Sequence, residues 1–483
     1  MKSKIFILFI LASFLLSSGF GCAKIDKKTL SYYRPITLEY WRVWDGPGDL
    51  REIISKYERI HPNVTINYKK LRYEEYRQKL LEGFAYGRGP DIFSIHNTWT
   101  HEYQSKNLIG EIPSNVILAY PYLKGSIKKE LAINLRNVKM INPQEIERNF
   151  LDVVYDDVVI KSLDKSGKPI EKIYGLPLSV DTLVMFYNKD LLNNAGIVEP
   201  PSFWDKNFQQ NVKKLTKQNN KGEILQSGVA LGGSDNIERY SDILSLLMMQ
   251  NGTEMITNKG QIRFNAIPSE NFRGATVPGY NALQFYTDFS NPAKEVYSWN
   301  SQMDSALELF TQNKLAFFFG YAYMLPKIKS LAPKLNFAIA PMPQIEGNPP
   351  VNFANYWVEV VSNKILTNLE NIKKGNGYAQ LKYNTAWDFI QFATKEQQVE
   401  SYLESTGKPT ALKSLVEKEK ENRDLEVFAN QLLTAKSWYK GNDSSAMEKI
   451  FKELIDTVVD NKKSIPKAMD LAAQKVQQTI RKK

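Results

Sequence analysis

Between residues 36 and 95 the chain repeatedly switches its hydrophobic period, and nothing else in the sequence constrains the fold as strongly. Ile36, Leu38 and Tyr40 alternate with Thr37, Glu39 and Trp41, the two-residue repeat of a half-buried strand. Gly46-Pro47-Gly48 breaks the repeat as a loop. Leu50, Ile53, Ile54 and Tyr57 then fall at helical spacing until Pro62 ends the run. Val64, Ile66 and Tyr68 return to strand spacing, Tyr73 to Phe84 reads as a second helix, and Gly87 to Pro90 turns into the mostly apolar Asp91 to Ile95. A strand-helix-strand-helix-strand order predicts an α/β lobe with a largely parallel sheet.

A second unit starts near Gly175, with a buried strand at Leu183 to Phe186 and the breaker Pro200-Pro201 after it. Phe208 to Leu215, Asp242 to Gln250, Asn281 to Phe289 and Ala306 to Phe310 read as helices. Leu315 to Phe319 is too apolar for an exposed segment and predicts a central strand. Phe337 to Ala340 and Trp357 to Val361 predict two more, and from Ala386 onward the chain reads as almost entirely helical. At 483 residues the chain exceeds one core, since cores stop growing at about 250–300 residues.

The N-terminus carries its own signal. Lys2 and Lys4 precede an apolar run from Ile5 to Leu16, and small residues lead to Cys22, the only cysteine. The run is shorter than the roughly 20 residues a membrane span needs and has the length of a signal-peptide core. A lone thiol makes no internal disulfide, so either it carries lipid after export or the chain is simply secreted. Gly21 suits cleavage before Cys22, which resembles a bacterial lipoprotein signal, although Gly19 stands where that pattern usually has Leu. Residues 1–21 are thus read as a leader and 22–33 as a polar tether.

The net charge of +11 arises from 63 basic and 52 acidic residues that are largely interleaved, as in Glu417 to Glu421. That pattern describes a solvated face near an anionic surface rather than a nucleic-acid stripe, and no nucleic-acid partner is expected. Of the three histidines, His61 precedes a proline, and His96 and His101 lie five apart with no metal-binding motif. No metal, cofactor, nucleophile elbow or phosphate loop is predicted.

Several blocks together carry a resemblance. They are Trp41 to Asp45, Pro62-Asn63-Val64, Gly89-Pro90-Asp91-Ile92-Phe93 and Tyr174-Gly175-Leu176-Pro177. Asp181-Thr182, Tyr187 to Leu191 and Pro200 to Asp205 follow, then Phe319-Gly320, Ala340 to Pro343, and Ala386 to Phe392 leading to Gly407-Lys408-Pro409. In this order they resemble the extracellular solute-binding proteins of ABC importers, the family that includes maltose-binding protein. The resemblance implies an α/β, two-lobed periplasmic-binding-protein-like fold of type II, with hinged lobes closing on a ligand cleft. It implies lobe one at 34–182 plus 340–375, lobe two at 183–339 plus 376–483, and hinges near 181–187 and 337–343. It further implies a monomeric, exported, membrane-anchored receptor that delivers a sugar to permease subunits and is not an enzyme.

Strand ends identify candidate ligand residues, because ligands of open α/β sheets collect beyond the carboxyl ends of strands. These ends supply Trp44 and Asp45, then Asn97 and Trp99, then Tyr321 and Tyr323, while Asn355 and Trp357 stand at another strand start. Rings stack on sugar C–H faces, and carboxylates and amides serve hydroxyls. Trp44 and Asp45 sit in a Gly/Pro loop, where turn-making is equally open. Asp181 is either a hinge cap or the ligand-binding acid that the resemblance implies. Tyr321 and Tyr323 replace the Trp usual in the resembling family, and Trp438 is either a cleft wall or packing. Trp204 and Trp387 read as packing residues. Two other functions stay open: a receptor for a peptide, polyamine or phosphorylated sugar, and a surface lipoprotein that hydrolyses or adheres to glycans. Hydrolysis would need two carboxylates about 5–10 Å apart, and Asp45 and Asp181 are the candidates.

Overall fold

The computed structural model describes residues 25–126, 129–164, 166–268, 276–375 and 377–480. Cys22 and the leader lie outside them. Two five-stranded sheets each organise a core. In the first, Ile36–Arg42 lies between Val64–Lys70 and Ile92–His96, all parallel. Trp357–Val361 then adds antiparallel to Ile92–His96, followed by Leu176–Pro177. Pro47 opens the helix Pro47–Ile60, which buries Leu50, Ile53 and Tyr57 against this sheet. In the second sheet every residue of Leu315–Gly320 is buried, and the strand lies between Ile224–Val229 and Val184–Asn188. Phe337–Ala340 closes one edge of that sheet. Among the described residues no helix is long and apolar enough to cross a membrane.

Between the two sheets lies a third, of three short strands: Ala435–Lys436, Asn352–Asn355 and Asp181–Thr182. The chain crosses between cores here. Val180 belongs to the first core and Leu183 to the second, while Phe353 belongs to the second and Ala354 to the first. Phe337–Ala340 was expected at the hinge but is an ordinary strand of the second sheet, and Ala340, Met342 and Val351 pack in the second core. The second crossing is thus displaced to Phe353–Ala354.

The expected division also assigned 376–483 to lobe two. Instead the helices Tyr378–Ala393 and Glu396–Thr406 pack in the first core, through Leu381, Trp387, Phe389, Ile390, Val399 and Tyr402. The Tyr57 hydroxyl donates to Asp388 at 2.8 Å and ties the first of these helices to Pro47–Ile60. Leu425 and Phe428 already pack in the second core, and from Trp438 onward the last helices, Ser444–Val459 and Ile465–Ile480, fill it. The tether differs too. Lys27–Tyr32 is a helix capped by Asp26, and Tyr32 packs on the first core. Arg34 donates to the carbonyls of Lys374 and Gly375 and lies over the Tyr378 ring.

The first sheet holds a buried charge cluster at its strand ends. Arg42 is 3% exposed and pairs with Asp45 at 2.8 Å and Glu359 at 3.3 Å. The Tyr40 hydroxyl donates to Glu359 at 2.7 Å, and the Tyr402 hydroxyl to Asp45 at 3.1 Å. Lys408 also bonds Asp45. Burial pushes the Asp45 carboxyl upward, but Arg42 and Lys408 outweigh it and hold the acid ionised below its usual range. Arg42→Met leaves Glu359 buried without its cation, and losing one partner of a buried pair costs about 3–5 kcal/mol. Urea unfolding is expected to show that loss; a variant within about 1 kcal/mol of the parent contradicts this account.

Candidate functional site

Four aromatic rings run in series across the space between the lobes. Tyr73 opens the helix Tyr73–Ala85 of the first lobe and stacks on Trp44 at 5.1 Å between centroids. Trp44 faces Tyr323 of the second lobe at 6.4 Å, with only 12° between the planes. Tyr323 continues to Tyr321 at 6.5 Å and 19°. Tyr321 and Tyr323 share this row because the strand Leu315–Gly320 ends just before them. Trp44 is 51% exposed and has φ 65°, a left-handed backbone that bulky side chains rarely adopt. Trp357 meets Tyr73, His96 and Trp99 edge-on, extending the apolar wall of the first lobe.

Polar groups flank the row. Asp242 accepts from Tyr321 at 2.6 Å, from Asn355 at 3.1 Å, and from Arg239 through two bonds of 2.7 and 2.9 Å. Arg239 also pairs with Glu448 at 3.1 Å and has φ 60°. Tyr323 donates to Glu238. His96 bonds the Asn355 carbonyl side chain at 3.0 Å and Thr98 at 2.8 Å. Burial, with Arg239 nearby, lowers the His96 pKa to about 4, so its ring is neutral at physiological pH. A narrow cavity between the lobes is lined by His96, Arg239, Asp242, Phe353, Trp438 and Glu448, among others.

Asp181 lies in the hinge sheet opposite Asn355. Its carboxylate accepts from the backbone N–H of Thr182 at 2.8 Å and of Ala322 at 2.9 Å. Burial between the lobes raises its pKa to about 8 despite those two bonds. Asp181, Asn355, Tyr323, Trp44 and Trp357 therefore converge on the space between the lobes, with Tyr321, 1% exposed and part of the second core, backing Tyr323.

The other candidates are placed differently. Asp45 is 4% exposed and is committed to Arg42, Tyr402 and Lys408 inside lobe one, so it has no open face toward Asp181 as a second carboxylate. Asn97 is buried and donates to Asp157 at 2.9 Å, which Tyr356 and Ser437 also bond. Trp99 is buried and stacks on Tyr103 at 6.0 Å. Trp438 donates to Ser245 at 3.0 Å, packs among Phe264 and Phe451, and lines the narrow cavity while standing outside the row of stacked rings. Tyr73, Glu238, Arg239, Asp242 and Glu448 carry no role in the sequence reading. The available signal was Glu238-Arg239-Tyr240-Ser241-Asp242, charges crowded at the start of an otherwise apolar helix. No group of three or more His, Cys, Asp or Glu able to hold a metal occurs among the described residues.

The fold matches solved solute-binding proteins over 92% of this chain. The cyclic α-maltosyl-1,6-maltose binding protein of Arthrobacter globiformis superimposes with a TM-score of 0.67 at 17% identity, covering 99% of that protein. The maltose-binding periplasmic protein MalE of Listeria monocytogenes, solved with maltose, gives 0.64 at 16% identity and 97% coverage of it. These likenesses establish a two-lobed binding-protein fold. In sequence, the chain is 23% identical over 317 residues to a Brucella abortus protein named only as a binding protein, covering 64% of this chain and 62% of that one. It is 26% identical over 173 residues to an uncharacterized ABC transporter extracellular-binding protein of Pyrococcus horikoshii, covering 35% of this chain and 32% of that one. The chain thus spans less than two thirds of the length of the curated relatives it matches. The model of one family matches residues 45–400, and the chain belongs to that family, the bacterial extracellular solute-binding proteins.

Proposed function

We propose that this protein captures a carbohydrate, an oligosaccharide, between its lobes and delivers it to an ABC permease. The row Tyr73–Trp44–Tyr323–Tyr321, flanked by carboxylate and amide groups, carries this reading. Flat rings offer faces to sugar C–H groups, and Asp181, Asp242 and Asn355 offer acceptors and donors to hydroxyls. Arg239 is already committed to Asp242 and Glu448, so this cation is not open to the anionic group of a phosphorylated sugar. Solved relatives with this fold were crystallised with maltose, maltotetraose and tagatose, which supports the sugar class. Asp45 is held in ion pairs, so the geometry gives no support to a two-carboxylate hydrolase. A ligand that bridges both walls favours the closed arrangement, and that population shift is what a permease would read from surfaces of both lobes of the monomer.

Thermal-shift screening of a glycan panel, followed by calorimetry and small-angle scattering, tests this directly, because bound solute stabilises the native state. A stabilising sugar that also compacts the protein is expected. Trp44→Ala and Tyr323→Ala should each weaken its binding about tenfold, since a stacked ring is worth about 0.5–1.5 kcal/mol beyond its buried area. Trp438→Phe should lower the melting temperature and leave affinity within about twofold, because Trp438 is buried in the second core and stands outside the row of stacked rings. No stabilising or compacting sugar, or product released from incubated glycans, sinks the proposal.

Closure should also depend on pH. Asp181 titrates near 8 between the closed lobes and near the ordinary value of about 4 once the cleft admits water. Closing therefore takes up a proton between about pH 4 and 8, so falling pH favours closure and rising pH favours opening. Scattering of the ligand-free protein should report a smaller radius at pH 5 than at pH 9. Asp181→Asn, which cannot titrate, should remove the difference; a difference that persists in this variant assigns it elsewhere.

The lipid anchor at Cys22 completes the proposal and puts the receptor on the extracytoplasmic face of the membrane. With Lys27–Tyr32 helical and docked on lobe one, a leash from Cys22 is shorter than the sequence reading expected. Mass spectrometry of the mature N-terminus should find a diacylglyceryl-modified Cys22. An unmodified or missing Cys22 removes the anchor and leaves solute binding untouched.

A further inference from the structure

One β-hairpin of the first lobe carries exposed apolar residues on the outer part of its strands. It pairs Asn115–Lys124 with Glu130–Lys139. Near its base Val116 and Leu118 lie in the first core. Farther out, Tyr122, Leu123 and Leu131 are 48%, 63% and 48% exposed. The register sets Leu123 directly opposite Leu131 and Tyr122 opposite Ala132, so the exposed leucines form one cross-strand pair. Tyr122 points to the opposite face of the hairpin from this pair, so both faces of the outer hairpin carry exposed apolar side chains, and exposed apolar surface of this kind marks a contact surface. Lys124 and Lys129 are exposed beside it, and the helix Lys27–Tyr32, resting on both strands, adds exposed Lys27, Lys28 and Leu30. The nearby acids are Asp26, which caps that helix, and Glu130.

We propose that this hairpin end, with the helix beside it, is a membrane-contact surface for an anionic bilayer. Tyr122, Leu123 and Leu131 enter the headgroup region, and Lys124, Lys129, Lys27 and Lys28 meet lipid phosphates. Charge favours this occupant, because basic side chains around an apolar tip match an anionic lipid surface. Position favours it as well. Lys27 lies five steps along the chain from Cys22, and an extended chain covers at most about 3.6 Å per step, so the proposed anchor lies within roughly 18 Å of the helix resting on the hairpin. A lipid chain with a second, basic-apolar contact gives the two-signal attachment that durable membrane binding requires.

This positional argument rests on the Cys22 anchor proposed above, so the test uses a chain without lipid. The protein from residue 22 onward carrying Cys22→Ser is mixed with vesicles of phosphatidylglycerol and phosphatidylcholine, or of phosphatidylcholine alone. Amide exchange is then followed by mass spectrometry. Exchange at 122–124 and 130–133 should slow at least threefold with the anionic vesicles only. The double variant Leu123→Glu/Leu131→Glu should abolish the effect with an unchanged melting temperature, since both side chains are exposed. Val198→Glu, at a position 93% exposed beside the second core, should retain it. Unchanged exchange with anionic vesicles overturns the proposal. So does slowing that follows protein concentration without vesicles, which would assign the surface to a second copy of the chain. An unlipidated mature Cys22 counts against the anchor alone, because the vesicle experiment does not use it.

Discussion

The two lobes are joined through a small sheet of three short strands. Asp181–Thr182, Asn352–Asn355 and Ala435–Lys436 are hydrogen-bonded side by side where the chain passes between cores. A single flexible linker would let two lobes tumble; several bonded crossings leave bending as the main freedom. Asp181 and Asn355 are paired residues of that sheet, so two groups that face the cleft are also part of its axis. Contact at the cleft floor and rotation of the lobes are therefore mechanically linked rather than merely close.

Strain marks the same place. Among the described residues, five other than glycine have a left-handed backbone, and three of them are asparagines, which tolerate it. The other two are Trp44 and Arg239, on facing walls. Neither side chain suits that conformation, so the surrounding structure must hold them there. Such strain concentrates where geometry matters more than local stability. The Trp44 ring is thereby presented to Tyr323 nearly parallel instead of folding back onto its own loop.

The two periods of residues 36–95 were legible because each element of a parallel sheet with covering helices has one buried face. Leu315–Gly320 was legible for the opposite reason, being buried on both faces. The hairpins Asn115–Lys139 and Val159–Ile173 gave no such signal, because their faces are only partly covered. The allegiance of Tyr378–Thr406 was illegible for a different reason: an apolar helix face shows that a core exists but not which one. Within the site, strand ends pointed to Tyr321, Tyr323 and Trp44, and a strand start to Asn355. They pointed equally to Asp45, whose role depends on Arg42 three residues earlier and on Lys408, far away in sequence. Arg239 and Asp242 come from the start of a helix rather than the end of a strand, and a strand-end rule does not reach them.

The interleaving of the two cores reaches beyond the folded state. The first draws on residues 36–180, again on 354–416, and last on Leu432 and Ala435; the second draws on 183–353, on Leu425 and Phe428, and on Trp438 to Val476. Neither can be completed from the early part of the chain, because each waits for segments made near the end. Domains that fold as contiguous units can close one after another during synthesis. This chain is denied that order, so a nascent chain on its way to export remains open until nearly all of it has been made. A threading machine that accepts only unfolded polypeptide would find that delay useful: the wiring that joins the lobes also postpones their formation.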